Sequence, residues 1–201
     1  MKTLLITAFD AFGGEDINPS CEAMNEMKDE IEGICIRKLL LPTEFEKGRN
    51  MILSAIEDIN PDYVLSIGQA GGRNNITVEK IAINYQNAKI PDNDGFMPYD
   101  RKIIEDGPDG LFSTLPIENI IAAIKLENIP VEISYSAGAY VCNTVMYSAL
   151  YLAKIKYKHM KCGFIHIPYI PKQVIEKNSP SMELSTIVKA LEIAAKEIGN
   201  D

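Results

Sequence analysis

The stretch that decides the fold opens the chain: Thr3-Leu4-Leu5-Ile6-Thr7-Ala8-Phe9-Asp10-Ala11-Phe12-Gly13-Gly14. Its first six residues are apolar or β-branched and predict a buried strand. The remainder, which ends in two glycines, predicts a turn. Asn18-Pro19 then has the pattern of a helix cap followed by proline in the first helical turn. The chain therefore starts with a strand, a turn and a helix.

Strand patterns and helix patterns alternate along the rest of the chain. Further strands are predicted over residues 34–41, 63–67, 76–84, 131–134 and 161–167. Five helices are predicted. The first follows Asn18 and has an apolar face of Ala23, Met24, Met27 and Ile31, and the second runs from the capping-box pair Thr43 and Glu46 through Ile59. The others run from Pro116 to about Asn128, from Ala139 to about Lys156, and onward from a Ser179-Pro180 cap. Strands that alternate with helices favour a layered α/β domain with a largely parallel sheet. A length of 201 residues is typical of one domain.

Composition excludes several classes of function. The formal net charge is −8, so the chain has no general attraction to nucleic acid or to anionic membranes. The longest apolar stretch, residues 137–155, contains Asn143, Thr144, Ser148 and Lys154, and we interpret it as a buried helix rather than a membrane span. Met1-Lys2 leads into only a short strand pattern, which predicts no secretory signal.

The cysteines do not form a metal-binding pattern. There are four of them and two histidines, and no two cysteines are spaced as Cys-x-x-Cys. We therefore expect no metal site, and thiols kept reduced in the cytoplasm.

Cys142 is the first candidate for chemistry. Gly138 allows a tight turn, and the periodic run Val141, Val145, Ser148 and Leu152 follows it, so Cys142 is predicted in the first turn of a long helix. Free backbone N–H groups there lower the pKa of a thiol and can bind an oxyanion. The alternative is a buried structural cysteine.

His166 and Glu79 are the candidate partners of that thiol. His166 lies near the end of an apolar strand, where α/β proteins place site residues, although a core histidine bonded to a backbone carbonyl is the alternative. Glu79 shares a strand face with Ile81 and Ile83 if residues 76–84 form one strand. A carboxylate on such a face needs a partner, either an imidazole to orient or a lysine or arginine in a salt bridge.

Two further motifs are less specific. Residues 68–73, Gly-Gln-Ala-Gly-Gly-Arg, follow a strand as a phosphate-binding loop does, but they match neither a dinucleotide-binding nor a P-loop pattern. Phe9 and Phe12 flank a turn at a strand end. They are typical of core packing, and two phenylalanines three residues apart can also form an apolar slot for a flat ligand.

Together these pieces resemble the pyroglutamyl peptidase I family, the pyrrolidone-carboxylate peptidases of cysteine peptidase family C15. Four segments carry the resemblance, and they occur in the same order as in the family. They are residues 7–14 with Asn18-Pro19-Ser20, residues 68–73, residues 78–84 with 90–93, and residues 136–143 with 163–168. Each motif is moderately specific, and the ordered set is highly specific.

The resemblance implies a catalytic triad that falls on Cys142, His166 and Glu79. It implies a single-domain three-layer α/β/α sandwich with a mostly parallel twisted sheet over residues 1–201. The implied activity is removal of an N-terminal pyroglutamyl residue from peptides through a thioester, without metal or cofactor, by a homotetramer. The implied substrate-binding residues are Phe9, Phe12, Gln69 and Lys89.

The chain departs from the family pattern at a few positions. Asp10-Ala11 stands where Glu-Pro is common, and Ser136 and Ala139 replace frequent threonines. Lys89 stands where many members have arginine, and lysine keeps the charge but loses the planar fork.

Two other functions remain as alternatives. A nucleoside phosphorylase-like enzyme would use the glycine turn at residues 68–72 for phosphate and would be indifferent to thiol alkylation. A non-catalytic member of the same family would keep the pocket and bind ligand without turnover. The long irregular segment from Ile90 to Gly110 is interpreted as a subunit contact or a lid over the pocket.

Overall fold

The computed structural model describes residues 1–201, with five helices around a central sheet. The helices are α1 (Pro19–Glu26), α2 (Phe45–Ile59), α3 (Ile117–Leu126), α4 (Val141–Ile155) and α5 (Leu184–Gly199), with a 3-10 turn at Pro171–Gln173. The strands are β1 (Thr3–Phe9), β2 (Glu30–Ile31), β3 (Ile34–Leu41), β4 (Tyr63–Gln69), β5 (Ile76–Glu79), β6 (Ile81–Ile83), β7 (Gly110–Phe112), β8 (Val131–Ser134) and β9 (Lys161–Ile167). No helix has both the length and the apolar character that crossing a membrane requires.

The main sheet has seven strands in the order β2-β3-β1-β4-β9-β5-β8. Neighbouring strands are parallel except at two places, where β2 pairs with β3 and β5 pairs with β9 in antiparallel register. The prediction of a mostly parallel sheet is confirmed. The antiparallel pairing of β5 with β9 matters for function, because it brings Thr77 opposite His166.

Helices cover both faces of this sheet. One face carries a core of 31 buried residues shared with α1, α3 and α5, and the other a core of 19 buried residues shared with α2 and α4. Alternation along β1 divides its side chains accordingly: Leu4 and Ile6 point to the first core, Leu5 and Phe9 to the second. Because central strands are buried on both faces, they consist of nearly continuous apolar residues. The three-layer α/β/α sandwich is confirmed.

The predicted strand over residues 76–84 is wrong as a single element. It breaks at Lys80, whose N–H donates to Ser134 O on β8 while its carbonyl accepts from Ser113 N. β5 belongs to the main sheet, and β6 pairs instead with β7. Glu79 therefore does not share a continuous face with Ile81 and Ile83. Alternation alone does not reveal where a strand exchanges one partner for another.

Three predicted helix boundaries also differ. Ile31, expected on the apolar face of the first helix, lies in the short strand β2. Thr43 does not cap α2; its hydroxyl donates to Asp10 O, and the helix begins after Glu44. The last helix begins at Leu184 rather than after Ser179-Pro180, since the preceding segment bridges to Tyr169.

The irregular segment between β6 and β7 is anchored by two buried side chains. Asn84 accepts hydrogen bonds from the N–H groups of Ile103 and Ile104 and donates to Ile104 O and Gly107 O. Asp92 accepts from Phe45 N at the start of α2 and from two N–H groups of its own turn. This part of the chain lacks regular structure, but its backbone is fixed to the body of the molecule.

Candidate active site

Cys142 is the second residue of α4, as the sequence predicts. Gly138 adopts a φ of +79°, the left-handed region that glycine occupies without steric cost, and so turns the chain into the helix. Tyr140 precedes the helix in extended conformation and offers no side-chain cap. The first N–H groups of α4 therefore have no side-chain cap, and the backbone N–H of Cys142 is close enough to its own sulfur to favour the thiolate.

Gly68 on β4 lies directly beneath the sulfur. A Cβ placed on Gly68 would lie 2.9 Å from Cys142 Sγ and 2.8 Å from Phe164 Cζ, closer than real Cβ contacts allow. Only glycine at this position lets the thiol rest against the sheet.

The imidazole of His166 is held by Glu79. His166 Nδ1 lies 2.7 Å from Glu79 Oε1, and the two side chains are 6% and 0% exposed. A carboxylate at Nδ1 favours the tautomer in which Nδ1 carries the proton and Nε2 is free to accept one. This is the arrangement that a general base requires.

Strand register places these groups on one face of the sheet. Gly68 on β4 pairs with His166 on β9, so the sulfur above Gly68 and the imidazole are on adjacent strands. The rings of Phe164 and His166 are 4.6 Å apart, and Phe164 also contacts the space above Gly68. No hydrogen bond joins Cys142 to His166 in this structure, so the two groups are neighbours rather than a preformed ion pair.

Glu79 is ionised despite its burial. Burial opposes ionisation most strongly, but the hydrogen bond and charge of His166, with Ser134 and Arg73 in support, outweigh burial and lower the pKa of the carboxyl. Arg73 Nη1 donates to the same oxygen, Oε1, at 2.9 Å. The two sequence-based interpretations of Glu79, imidazole partner and salt bridge, hold at once.

For the Cys142 thiol, in contrast to Glu79, burial outweighs the contacts that favour the ionised form. Burial, followed by the charge of Glu79, raises the pKa of Cys142 to about 12, while a backbone hydrogen bond at the helix start and the charge of Arg73 lower it. The predicted lowering of the thiol pKa is therefore wrong, because desolvation and the charge of Glu79 outweigh the helix effect. The thiol therefore depends on a neighbouring base to remove its proton.

The two phenylalanines have different environments. Phe9 is 2% exposed and stacks on Phe164 with ring centroids 6.2 Å apart, as a core residue. Phe12 is half-buried and packs 6.1 Å from the ring of Tyr140, whose hydroxyl donates to Pro91 O. Phe12 and Tyr140 thus form an apolar pair beside the start of α4, bonded through Tyr140 to the irregular segment at Pro91.

Gln69 and Lys89 have different surroundings. Gln69 follows Gly68, so its side chain points to the other face of the sheet, where its Oε1 accepts a hydrogen bond of 2.8 Å from Gln173. Gln173 in turn lines a cavity of about 530 Å³ between residues 14–17 and 172–177. Lys89 is exposed, beside Ile90, which is near Gly13.

The glycine turn after β4 is explained by packing. A Cβ on Gly71 would lie 2.3 Å from the ring of Tyr169, and Gly68 accommodates the sulfur. Arg73, at the end of the turn, bonds to Thr77 and Glu79. No group of three or more His, Cys, Asp or Glu side chains is arranged to hold a metal ion.

Asn143 is a site residue that sequence reasoning missed. It is fully buried next to Cys142, donates to Ile83 O and Tyr85 O, and accepts from Ile83 N. These bonds fix the start of α4 to β6. The only sequence indication is a polar side chain within an apolar helical stretch.

Comparison with known proteins gives a consistent result. The family model described as pyroglutamyl peptidase matches residues 1–201. The chain is 53% identical over 197 residues to pyrrolidone-carboxylate peptidase 1 of Caldanaerobacter subterraneus subsp. tengcongensis, covering 97% of both chains. It is 50% identical over 196 residues to a pyrrolidone-carboxylate peptidase of Clostridium perfringens, covering 97% of this chain and 92% of that one.

Solved structures show the same similarity. The crystal structure of pyroglutamyl peptidase I from Bacillus amyloliquefaciens superposes with a TM-score of 0.97 at 42% identity, covering 100% of this chain and 96% of that one. The pyrrolidone carboxyl peptidase from Thermococcus litoralis gives a TM-score of 0.96 at 40% identity, covering 100% and 94%.

Proposed function

The chain belongs to the pyroglutamyl peptidase family, cysteine peptidases that remove an N-terminal pyroglutamyl residue from peptides, and we propose that Cys142, His166 and Glu79 carry out this reaction. Cys142 is the nucleophile, His166 the general base and acid, and Glu79 the group that orients the imidazole. The observation that supports this most directly is the 2.7 Å contact between His166 Nδ1 and Glu79 Oε1, on the face of the sheet where the sulfur lies over Gly68.

Proton transfer accompanies nucleophilic attack in this mechanism. Because the pKa of the Cys142 thiol is raised to about 12, little thiolate exists before substrate binds. His166 Nε2 takes the thiol proton as the sulfur attacks the pyroglutamyl carbonyl, and Glu79 stabilises the imidazolium that forms.

The start of α4 supplies the oxyanion site. Its free backbone N–H groups face the carbonyl oxygen that becomes negative when the C–S bond forms. The C–N bond then breaks, and the amine leaves with the proton held by His166. Water, deprotonated by the same imidazole, hydrolyses the thioester and releases pyroglutamate.

Substrate selection follows from the charge of the terminal residue. Pyroglutamate has a cyclic amide in place of an ammonium group, so an uncharged apolar slot with few polar partners suffices to bind it. We propose Phe9 and Phe12 as the walls of that slot. The family resemblance adds Lys89 and Gln69 as polar contributors, although the Gln69 side chain lies on the opposite face of the sheet, bonded to Gln173. A terminal glutamine would bring an ammonium whose desolvation is costly without a counter-charge, and would be rejected.

The test is turnover of a chromogenic pyroglutamyl amide with and without iodoacetamide. We expect turnover that iodoacetamide abolishes, and an inactive Cys142→Ser variant. The half-buried Cys21 and Cys35 provide matched controls as Cys21→Ser and Cys35→Ser, which should keep most of the activity. Normal turnover by Cys142→Ser would contradict the proposal, and alkylation-resistant phosphorolysis of nucleosides would support the phosphorylase alternative. Binding of pyroglutamate without turnover would identify a non-catalytic member.

We also propose a cytoplasmic homotetramer. The support is the family resemblance and several large apolar side chains that the single chain leaves exposed, among them Tyr99, Phe112 and Leu126. Light scattering after size-exclusion chromatography measures the mass, which for a tetramer is four times the 22.3 kDa of one chain.

A further inference from the structure

Arg73 occupies an unusual position for a loop residue. It ends the glycine turn after β4, its N–H donates to Ala70 O, and its side chain turns inward with 36% of its surface exposed. Nη1 donates to Glu79 Oε1 at 2.9 Å and to Thr77 Oγ1 at 2.5 Å. One guanidinium nitrogen thus bonds two residues of β5 that point to the same face of the sheet.

Glu79 depends on very few partners. Its Oε1 lies within hydrogen-bond distance of both His166 Nδ1 and Arg73 Nη1, and its Oε2 is buried with no hydrogen-bond partner. The groups that face it are His166 on β9, Arg73 on the loop after β4, Cys142 on α4 and Ser134 on β8. Arg73 is the only permanently cationic group among them.

We propose that Arg73 is a positioning residue of the reaction, which keeps Glu79 ionised and turned toward His166. This inference rests on the triad assigned above and adds a fourth residue to it. Arg73 touches no reacting atom; it acts through the carboxylate.

The geometry explains why a cation is needed there. When the thiol proton moves to His166, a thiolate forms in the same desolvated region as the Glu79 carboxylate, and two anions repel each other strongly at low dielectric. Arg73 offsets the charge of Glu79, so the new thiolate does not face an unbalanced anion. Its hydrogen bond helps to lower the pKa of Glu79, and its charge acts to lower the pKa of Cys142.

The second bond of Arg73 fixes the direction of the carboxylate. Thr77 lies opposite His166 in the antiparallel pair and its hydroxyl donates to His166 O at 3.5 Å. By bonding to Thr77 and Glu79 together, Arg73 links the two side chains of β5 that flank the catalytic imidazole. A lysine would supply the charge from a flexible stem with less directional control.

The experiment compares Arg73→Gln, Arg73→Lys and the matched control Arg37→Gln, an exposed arginine on β3. We expect Arg73→Gln to lower kcat roughly 10- to 100-fold, the effect of losing one hydrogen bond to a charged group, with little change in KM. The acid limb of its pH profile should move to higher pH, because Glu79 protonates more readily. Arg73→Lys should keep the acid limb near its original position, and Arg37→Gln should behave as the unmodified enzyme.

Two further measurements test whether Arg73 affects turnover by acting on Glu79. Arg73→Gln in the Glu79→Gln background should cost little additional activity, since the carboxylate is already gone. Millimolar guanidinium chloride should partly restore Arg73→Ala, because the Arg73 side chain is 36% exposed and its removal leaves a path from solvent to Glu79, and sodium chloride should not.

The outcomes separate this proposal from the triad itself. Unchanged kcat and pH profile in Arg73→Gln, together with an impaired Glu79→Gln, would overturn the role of Arg73 and leave the triad intact. Full activity in Glu79→Gln would overturn both. If Arg73→Gln does not fold, Arg73→Lys decides: an acid limb displaced to higher pH in that variant would show that charge is not what Arg73 supplies.

Discussion

A carboxylate that has lost all contact with water persists in ionised form only beside groups that offset its desolvation. Glu79 has no exposed surface, and it meets this requirement with one imidazole and one guanidinium on a single oxygen. The same contacts orient His166. The hydrogen bonds of Glu79 to His166 and Arg73 therefore both stabilise the folded site and orient its reactive imidazole.

The pH dependence of Glu79→Gln tests this at the residue scale. The pKa of Glu79 is lowered from its ordinary 4.5, so the ionised form stabilises the fold above that pH, and the contribution disappears as pH falls below about 4.5 through the folded-state pKa. We expect Glu79→Gln to have a lower Tm than the unmodified protein at pH 7 and for the difference to shrink below pH 4.5. Turnover at neutral pH should fall on the order of 100- to 10,000-fold.

Thermal unfolding at several pH values provides the measurement for Glu79→Gln. The control is Glu118→Gln, which removes an exposed carboxylate on α3. A Tm difference that stays constant from pH 7 to pH 3 would show that ionised Glu79 contributes nothing to stability.

Gly68→Ala is a second residue-scale prediction. The added methyl group would overlap Cys142 Sγ and the ring of Phe164, so the sulfur must move away from its position over β4. We expect kcat/KM to fall roughly 10- to 100-fold, since a displacement near 1 Å suffices for such a loss. Steady-state kinetics with the pyroglutamyl amide measures it. Gly33→Ala, in the β2–β3 turn, meets open space but strains a backbone φ of +80°, so it should lower stability while the folded protein keeps its kcat/KM; equal kinetics for both variants would refute the steric argument.

At the scale of the element, the start of α4 is fixed by Asn143 rather than by a helix cap. The helix has no side-chain cap, and the three hydrogen bonds of Asn143 to Ile83 and Tyr85 hold its first turn against β6 instead. A helix that must leave its first N–H groups free for an oxyanion gains from being anchored in this way, because a capping side chain would occupy those donors.

Asn143→Ala should therefore destabilise the protein and reduce activity together. We expect a loss of about 2–4 kcal/mol in the free energy of unfolding, since buried backbone groups of residues 83 and 85 lose their partners. Urea unfolding measures the stability, and kcat of the folded fraction shows whether the first turn has moved. Asn25→Ala, at an exposed position on α1, is the control. If Asn143→Ala matched that control in both measurements, the anchoring role would be wrong.

At the scale of the whole molecule, the sheet separates two cores that meet only through its strands. Cys162 on β9 is 1% exposed beneath α4, and burial raises the pKa of its thiol well above its usual range. In a Cys142→Ser background, we expect Cys162 to react with iodoacetamide only at urea concentrations where circular dichroism shows global unfolding. Mass spectrometry identifies the labelled residue. Labelling in native buffer would mean that the α4 layer opens on its own.

The sequence by itself determined the order of the main helices and long strands, the layered α/β class, the helix start at Cys142 and the identity of the family, but it missed β2, β7 and the break between β5 and β6. These properties rest on local patterns: apolar runs, glycine turns and motifs that keep their order along the chain. The residues alone made Cys142, His166 and Glu79 candidates, each with a structural alternative, and the family resemblance is what grouped them as a triad. The catalytic roles of these residues, and the substrate contacts of Phe9, Phe12, Gln69 and Lys89, stay predictions.

Only the tertiary structure decided which side chains meet. The break at Lys80, the antiparallel pairing of β5 with β9, and the inward turn of Arg73 all depend on contacts between segments far apart in the chain. The raised pKa of Cys142 is of the same kind, because desolvation is set by everything that packs around the sulfur. A local sequence pattern indicates which secondary structure each segment prefers. Burial and electrostatic potential at a site depend on all the neighbouring groups, and these come together only when the chain folds.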